Sequence, residues 1–335
     1  MKVLVPDYYE AFSCLAGECR HSCCIGWEID IDECTAEYYR TIGGEFGKKL
    51  KNSILEDDSG ASFILSEGEE RCPFLNSRGL CDIILTLGED SLCQICSDHP
   101  RFRNYFSGRT EIGLGLCCEA AAKLILTDPA PVKLHILCED KETEDTEQLS
   151  EEESALLRQR EKLIRTAQDR SRPFRKRLEA LSSFAGLPFS DLVLPPEFML
   201  SLEQLSPVWT EKLVCLQNFR RKPESPKNSS ELLSQDDFDR IFDRHPFVFE
   251  QFLVYLIFRH FPDAARSGET VEILRFLLSS VRLIAELSAA LSDASAEDAF
   301  PEEINEDELI ELIREWSSEI EYSDENVEKI KEYLT

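Results

Sequence analysis

The chain has 335 residues, of which 42% are hydrophobic and 9% aromatic, so it can form a hydrophobic core. Its length predicts about two domains. Its formal net charge of −28 argues against a nucleic-acid partner, because phosphate binding needs clustered Lys and Arg. The longest apolar runs, residues 252–258 and 283–291, are well under the ~20 residues that a membrane span needs, so no membrane partner is expected.

The N-terminus and the cysteines together predict a reduced, metal-binding protein. Residues 1–5 are followed at once by Pro6 and Asp7, without the apolar core of a signal peptide, which predicts a cytoplasmic location. Disulfides are rare in that compartment, and a chain of this size does not need them. Eleven of the thirteen cysteines fall within the first 118 residues, in local pairs and triples. This grouping favours a metal or iron–sulfur site over disulfides or unrelated thiols.

The first part of the chain predicts short elements between its cysteines. Thr35 is the expected N-cap of a helix that runs to Leu50, although three glycines weaken it. A short apolar helix is expected over residues 80–87, where Gly88 ends it. Residues 101–106 and 111–116 predict a hairpin, and a further helix over 117–126 ends before two prolines.

The rest of the chain changes character after an acidic run. Residues 139–153 contain nine acids and one Lys, which predicts a solvated linker or loop. Apolar residues then recur with the period of a helix from residue 154 onward, with almost no strand pattern. We therefore expect a mainly α protein: a compact Cys-rich region at 1–138 with little regular structure beyond a small hairpin, the linker at 139–153, and a helical region at 154–335.

Four elements carry the cysteines that could bind a metal. The first runs from Cys14 to Gly26, where Gly17 and Gly26 allow tight turns, and the others are Cys72–Cys81, Cys93–Cys96 and Cys117–Cys118. A Cys-x-x-Cys pair fits zinc and iron–sulfur equally well. The unequal spacings fit poorly to zinc fingers, which usually show matched pairs. Adjacent side chains point in different directions, so we expect Cys23 and Cys24 to serve different metals or only one of them to bind.

Three runs of sequence carry a family resemblance. They are FSCLAGECRHSCCIGWEIDID, CPFLNSRGLCDIILTLGEDSLCQICSDHPRF and EIGLGLCCEAAAKLIL, in this order within residues 8–127. On these runs the chain resembles the flagellin lysine-N-methylase family, with a looser similarity to small CxxxCxxxCC proteins associated with zinc or iron chelation. Residues 154–335 offer no sharp motif for the comparison.

The resemblance implies an enzyme that transfers methyl groups from S-adenosylmethionine to lysine side chains of flagellin, with a [4Fe-4S] cluster taking part. It implies that the cluster ligands are drawn from eight cysteines: Cys14, Cys19, Cys23, Cys24, Cys72, Cys81, Cys96 and Cys118. Four suffice for one cluster, which leaves room for a second metal. The other five cysteines, Cys34, Cys93, Cys117, Cys138 and Cys215, are expected not to bind.

Methyl transfer to lysine needs a group that accepts the amine proton and a site that holds the sulfonium donor. The candidates for the base within the motif runs are Glu119, Asp98, His99, Tyr105, Asp30 and Asp32. Arg101 is the candidate for holding the donor's carboxylate. No strand is followed by a Gly-rich nucleotide fingerprint, which argues against an ordinary Rossmann-type methyltransferase. A non-enzymatic interaction protein that binds zinc or iron is the alternative.

Overall fold

The computed structural model describes residues 1–57, 60–66, 68, 70–139, 148–221, 233–294 and 304–335. Its contacts divide the chain into two units. We call Ser13–Phe102 with Cys118–Ala120 the Cys-rich unit, and Met1–Phe12, Arg103–Cys117 and Ala121–Thr335 the helical unit. The division predicted at residues 139–153 groups the chain differently, and residues 140–147 of that acidic run lie outside the described part.

The described strands form two sheets, one of four strands in the order β5-β6-β1-β7 and one of three in the order β2-β4-β3. Their bounds are β1 Lys2–Pro6, β2 Asp30–Ile31, β3 Ile54–Asp57, β4 Gly60–Phe63, β5 Arg101–Phe106, β6 Arg109–Leu114 and β7 Leu134–Glu139.

Helices make up most of the described chain, which confirms the mainly α prediction. They are α1 Glu33–Thr41, α2 Gly44–Asn52, α3 Asp82–Leu87, α4 Gln94–Asp98, α5 Glu119–Leu126, α6 Glu151–Ala167, α7 Phe174–Ser182, α8 Pro196–Met199, α9 Pro207–Arg220, α10 Gln235–Arg244, α11 Pro246–His260, α12 Ala264–Ser267, α13 Thr270–Ala294, α14 Glu306–Trp316 and α15 Asp324–Tyr333. A π-helical turn, Ser317–Glu321, follows α14. No helix among the described residues is long and apolar enough to cross a membrane.

The Cys-rich unit has more regular structure than the sequence predicted. Four short helices, α1 to α4, and the three-stranded sheet surround a core that includes Tyr39, Phe63 and Phe74. The hydroxyl of Tyr39 donates to the carbonyl of Ser91 at 2.7 Å. The expectation of little regular structure here was wrong, because strands of two to four residues leave too short an alternating pattern to be recognised.

The helix predicted from Thr35 to Leu50 is two helices. Asp32, not Thr35, caps α1, because its carboxylate accepts a hydrogen bond from the Thr35 backbone N–H at 3.0 Å. The chain turns before α2, where Gly44 has a φ of 72°, a conformation that glycine adopts at little cost. A Cβ at Gly47 would lie 2.1 Å from the carbonyl oxygen of Ile42, so this tight turn needs glycine.

The helical unit is built around two long helices. Residues 248–258 of α11 are all buried, and most of α13 is buried as well. Phe252 of α11 and Phe276 of α13 both contact the ring of Trp316, at centroid distances of 5.1 and 6.2 Å. A helix that is apolar on every side is expected to lie inside the core, as α11 does.

The predicted hairpin exists as β5 and β6, but it belongs to the four-stranded sheet. Strand β1 lies parallel to β6, with Lys2 opposite Arg109, and antiparallel to β7, with Val5 opposite His135. Neither β1 nor β7 was predicted. The predicted helices over residues 80–87 and 117–126 are confirmed as α3 and α5, and Gly88, with a φ of 95°, ends α3.

Candidate thiol site

Backbone hydrogen bonds of the Cys-rich unit bring distant cysteines together. The N–H of Cys72 donates to the carbonyl of Cys24 at 2.8 Å, so these two residues lie side by side. Cys81 pairs with Leu75 across an isolated bridge, which folds the segment after Cys72 back on itself. The N–H of Gly26, a residue with a φ of 74°, donates to the carbonyl of Glu70 at 3.1 Å, next to a second isolated bridge between Ile25 and Arg71. These backbone contacts therefore bring Cys24, Cys72 and Cys81 close together.

Five thiols form what we call the inner thiol group: Cys24, Cys72, Cys81, Cys93 and Cys96. Cys72 interacts electrostatically with both Cys24 and Cys81, and Cys96 interacts with Cys24 and Cys72. The thiols of Cys93 and Cys96 are hydrogen-bonded to each other. Cys93 caps the short helix α4 and Cys96 lies within it, so the Cys-x-x-Cys spacing puts both on one side of a single turn.

Four further cysteines form the outer thiol group: Cys14, Cys19, Cys23 and Cys118. Cys23 interacts with Cys14 and Cys118, and Cys19 interacts with Cys118. Cys14 and Cys23 are exposed, whereas the inner group contains two buried thiols, Cys72 and Cys93. A hydrogen bond between the adjacent Cys23 and Cys24 thiols joins the two groups. The eight cysteines that the family resemblance implied thus divide into four outer and four inner thiols, with Cys93 added to the inner group.

The surroundings of the inner thiols make their acidities unequal. The hydrogen bond with Cys23 lowers the pKa of Cys24 to about 7, and the one with Cys96 lowers the pKa of Cys93. Burial raises the pKa of Cys72 to about 12 and also raises the pKa of Cys81. Cys24 and Cys93 are therefore the inner thiols that lose a proton most readily.

The Cys-rich unit supplies soft donors in the form of free thiols. All thirteen cysteines are free thiols. Among the residues that the structure describes, no three His, Cys, Asp or Glu side chains are placed to hold one metal ion. The metal-binding role of the N-terminal part stays a prediction.

Glu119 is an acid that contacts the outer thiol group. Its carboxylate accepts hydrogen bonds at 2.8 Å from both the backbone N–H and the Nε of Arg20, and the thiol of Cys19 donates to it at 3.7 Å. Burial acts to raise the pKa of Glu119, but the hydrogen bonds from Arg20 outweigh burial and lower it. Glu119 therefore stays ionised beside these thiols and fixes the loop that contains Arg20.

The other base candidates occupy different surroundings. Asp32 caps α1 and also accepts the backbone N–H of Gln94 at 2.9 Å, so its carboxylate serves the fold of the Cys-rich unit. Burial lowers the pKa of His99 to about 4, and the charge of Arg101 adds to this effect, which keeps the ring neutral at pH 7. Asp98 is half-buried at the end of α4.

Of the remaining candidates, Tyr105 and Asp30 are exposed and Arg101 is half-buried. Tyr105 is 72% exposed and belongs to the helical unit, and Asp30 is an exposed residue of β2. Arg101 donates to the carbonyl of Ser97 at 3.4 Å and lies half-buried.

Cysteines expected not to bind lie in several places. Cys34 is exposed on α1, while Cys117, Cys138 and Cys215 lie in the helical unit. Cys117 is buried there, and its thiol is hydrogen-bonded to the hydroxyl of Tyr322. Cys93 differs from the others, because it lies within the inner thiol group. Its Cys-x-x-Cys spacing was the sequence signal for this position.

The family comparison matches the other end of the chain. Residues 196–335 match the model of the FliB lysine N-methylase C-terminal domain. The resemblance to the flagellin lysine N-methylase family is confirmed. The match lies in the helical unit, where the sequence offered no sharp motif, whereas the resemblance rested on residues 8–127.

Curated relatives of the chain carry related names. It is 30% identical over 140 residues to the lysine-N-methylase of Salmonella typhimurium, covering 39% of this chain and 34% of that protein. It is 29% identical over 140 residues to the flagellar biosynthetic protein FliU of Salmonella muenchen, covering 39% of this chain and 81% of FliU. The chain thus spans about a third of the length of the lysine-N-methylases that it matches. No solved structure matches it.

Proposed function

We propose that this chain is a cytoplasmic protein-lysine N-methyltransferase that acts on flagellin, uses S-adenosylmethionine as methyl donor and binds a [4Fe-4S] cluster through its inner thiol group. Two independent lines support the proposal. The family match over residues 196–335 points to lysine N-methylation. The thiol groups supply soft donors of the kind that iron–sulfur clusters need.

The single observation that carries the cluster is the convergence of Cys24, Cys72 and Cys96. These thiols come from three separate stretches of the Cys-rich unit, yet each interacts electrostatically with the others. Thiolates repel one another when they ionise together, so such a group is stabilised by a bound cation. Cys81 completes a set of four, and Cys93 adds a fifth thiol that is hydrogen-bonded to Cys96.

The proposed reaction forms a bond between a lysine Nζ and a methyl carbon and breaks the bond between that carbon and the donor's sulfonium sulfur. S-adenosylhomocysteine leaves, and one proton of the lysine ammonium is released. If three of these thiols held the cluster, it would supply an iron with an open position for the donor's amino and carboxylate groups. The ring of His99 is unprotonated at pH 7, but a pKa of about 4 makes it a weak base, so the released proton passes to solvent.

One experiment tests the proposal. The full chain is purified without oxygen, and its iron, acid-labile sulfide and zinc contents are measured before incubation with S-adenosylmethionine and purified flagellin. We expect close to four irons and four sulfides per chain, with flagellin lysines gaining mass in multiples of one methyl group.

Each part of the proposal can fail separately. Stoichiometric zinc without sulfide, together with unmodified flagellin, would overturn the proposal in favour of a zinc-binding interaction protein. A brown protein that leaves flagellin unmodified but methylates another lysine-rich protein would remove flagellin as the substrate and keep the reaction.

A further inference from the structure

A buried polar network lies at the centre of the helical unit. The carboxylate of Glu321 accepts the hydroxyl of Tyr255 at 2.7 Å, and it pairs with Arg259 at 3.2 Å. The ring of His260 is hydrogen-bonded to the same carboxylate at 2.7 Å, and the hydroxyl of Ser317 also donates to it. Every member of this network lies within residues 196–335, the part that matches the family model.

The charges within the network are balanced. Burial acts to raise the pKa of Glu321, but the charge of Arg259 and the hydrogen bonds from His260 and Ser317 outweigh it and lower the pKa. The carboxylate is therefore ionised opposite the guanidinium of Arg259. Such a pair costs several kcal/mol to bury, and hydrophobic residues of similar volume often stabilise a fold as well. The network thus requires a reason beyond the stability of the core.

The network holds one short stretch of backbone. The N–H of Leu116 donates to the hydroxyl of Tyr255 at 3.2 Å, and the thiol of Cys117 is hydrogen-bonded to the hydroxyl of Tyr322. Arg259 donates to both tyrosine hydroxyls, at 2.9 Å to Tyr255 and 3.3 Å to Tyr322. These two hydrogen bonds, at Leu116 and at Cys117, therefore both end on a hydroxyl that Arg259 also holds.

Gly115 shows how closely the network approaches this backbone. A Cβ at this position would lie 2.1 Å from the Tyr322 hydroxyl oxygen and 3.1 Å from a guanidinium nitrogen of Arg259. The next two residues, Leu116 and Cys117, are buried. Tyr322 and Arg259 can approach the main chain this closely because Gly115 has no side chain.

We infer that Tyr255, Arg259, Glu321 and Tyr322 are positioning residues that fix the segment Gly115–Cys117, which runs directly into Cys118. The contacts that carry the inference lie within the helical unit and require no metal.

Tyr322→Phe tests the contact with Cys117, because it removes only the hydroxyl. We expect iodoacetamide to alkylate Cys117 roughly fivefold to tenfold faster in the metal-free full chain, the factor that the loss of one hydrogen bond allows. Tyr333→Phe is the matched control, since Tyr333 is 48% exposed and stacks on Phe198. The rate is read by mass spectrometry against Cys215, a second thiol of the helical unit.

A local effect distinguishes positioning from general loosening of the fold. We expect Cys117 to react faster in Tyr322→Phe while the rate at Cys215 stays within about twofold of the wild type. Equal acceleration at both thiols would show a merely structural role and overturn the inference. No acceleration at Cys117 would overturn it as well.

Tyr255→Phe and Gly115→Ala probe the same segment from two other sides. Loss of the Tyr255 hydroxyl should speed amide exchange at Leu116 by roughly tenfold, with little change in α9, which lies outside the network. Gly115→Ala should speed alkylation of Cys117, because its Cβ pushes the Tyr322 hydroxyl away. The double variant Gly115→Ala, Tyr322→Phe should show a smaller combined effect than the sum of the two, since the clash is partly relieved. Strict additivity would count against the inference.

Discussion

The two units of this chain gather reactive groups in opposite ways. In the Cys-rich unit, thiols face other thiols: burial raises the pKa of Cys72 and Cys81, and the charge of Cys24 acts in the same direction. In the helical unit, buried carboxylates face guanidinium groups, as Glu250 does with Arg170 and Arg177. Groups that repel one another when ionised need a cation from outside, whereas groups that attract one another need none. The comparison contrasts the proposed metal site with a core whose charges balance one another.

The largest effect is expected from removing an inner thiol. Cys72→Ser should lose most of the bound iron and sulfide of the anoxically purified protein, because serine is a poor ligand for a soft metal. Cys215→Ser in the helical unit is the control and should keep the wild-type content. Iron and sulfide per chain are measured for both variants. Equal losses in the two variants would remove the distinction between the units, and an unchanged Cys72→Ser would exclude Cys72 as a ligand.

A loss of stability is expected when a buried charge pair of the helical unit is broken. Glu250 is 1% exposed and binds Arg170 at 2.8 Å and Arg177 at 2.6 Å. Glu250→Gln should lower the free energy of unfolding by about 3 kcal/mol, since two guanidinium groups lose their counter-charge. Urea unfolding followed by circular dichroism measures this change.

Glu161→Gln is the control for that measurement. Glu161 forms an exposed pair with Arg165 at 3.2 Å, and its loss should cost less than about 0.5 kcal/mol. If Glu250→Gln costs no more than Glu161→Gln, the buried pairing does not hold the helical unit together.

The smallest effect concerns an acid that does not follow the pattern of its unit. Burial raises the pKa of Glu319 to about 7, and the charge of Glu315 adds to this, although the N–H of Leu205 donates to its carboxylate at 2.8 Å. A carboxyl whose folded-state pKa is raised stabilises the fold below its unfolded pKa, and that contribution is lost as the pH rises toward 7. Between pH 5 and pH 8, wild type should lose on the order of 2 kcal/mol more stability than Glu319→Gln.

Urea unfolding at several pH values measures this difference. Glu332→Gln, which alters an exposed acid of α15, should reproduce the pH profile of the wild type. Parallel profiles for wild type and Glu319→Gln would show that Glu319 titrates as an ordinary surface carboxyl.

The sequence predicted many of the helices and the clustering of the cysteines, because both have local signatures. Repeated apolar residues at the helical period mark α11 and α13, and clustered thiols mark the Cys-rich unit. The strands β1 and β7 were missed, since β1 pairs with residues more than a hundred positions away and its own five residues carry no distinctive pattern. Pairing over such distances depends on the whole fold.

The network around Glu321 was missed for a related reason. Tyr255 and Glu321 lie 66 positions apart, and each is an unremarkable residue of its own helix. A charged residue within a buried stretch was the one available signal, and a sequence cannot show which acidic residue is buried. The same holds for the family match over residues 196–335, which rests on many weak positions and not on a sharp motif.

The number of residues in the π-helical turn at Ser317–Glu321 determines where the side chains of the buried network point. The N–H of Tyr322 donates to the carbonyl of Ser317 at 3.1 Å, five positions earlier. The turn therefore contains one residue more than an α-helical turn would. Each residue of an α-helix rotates the chain by about 100°. A relative that lacks a single residue here would swing Glu321 and Tyr322 to another side of the helix, even if every side chain were retained. In comparisons of related chains, a one-residue gap at this place therefore carries as much meaning as a substitution.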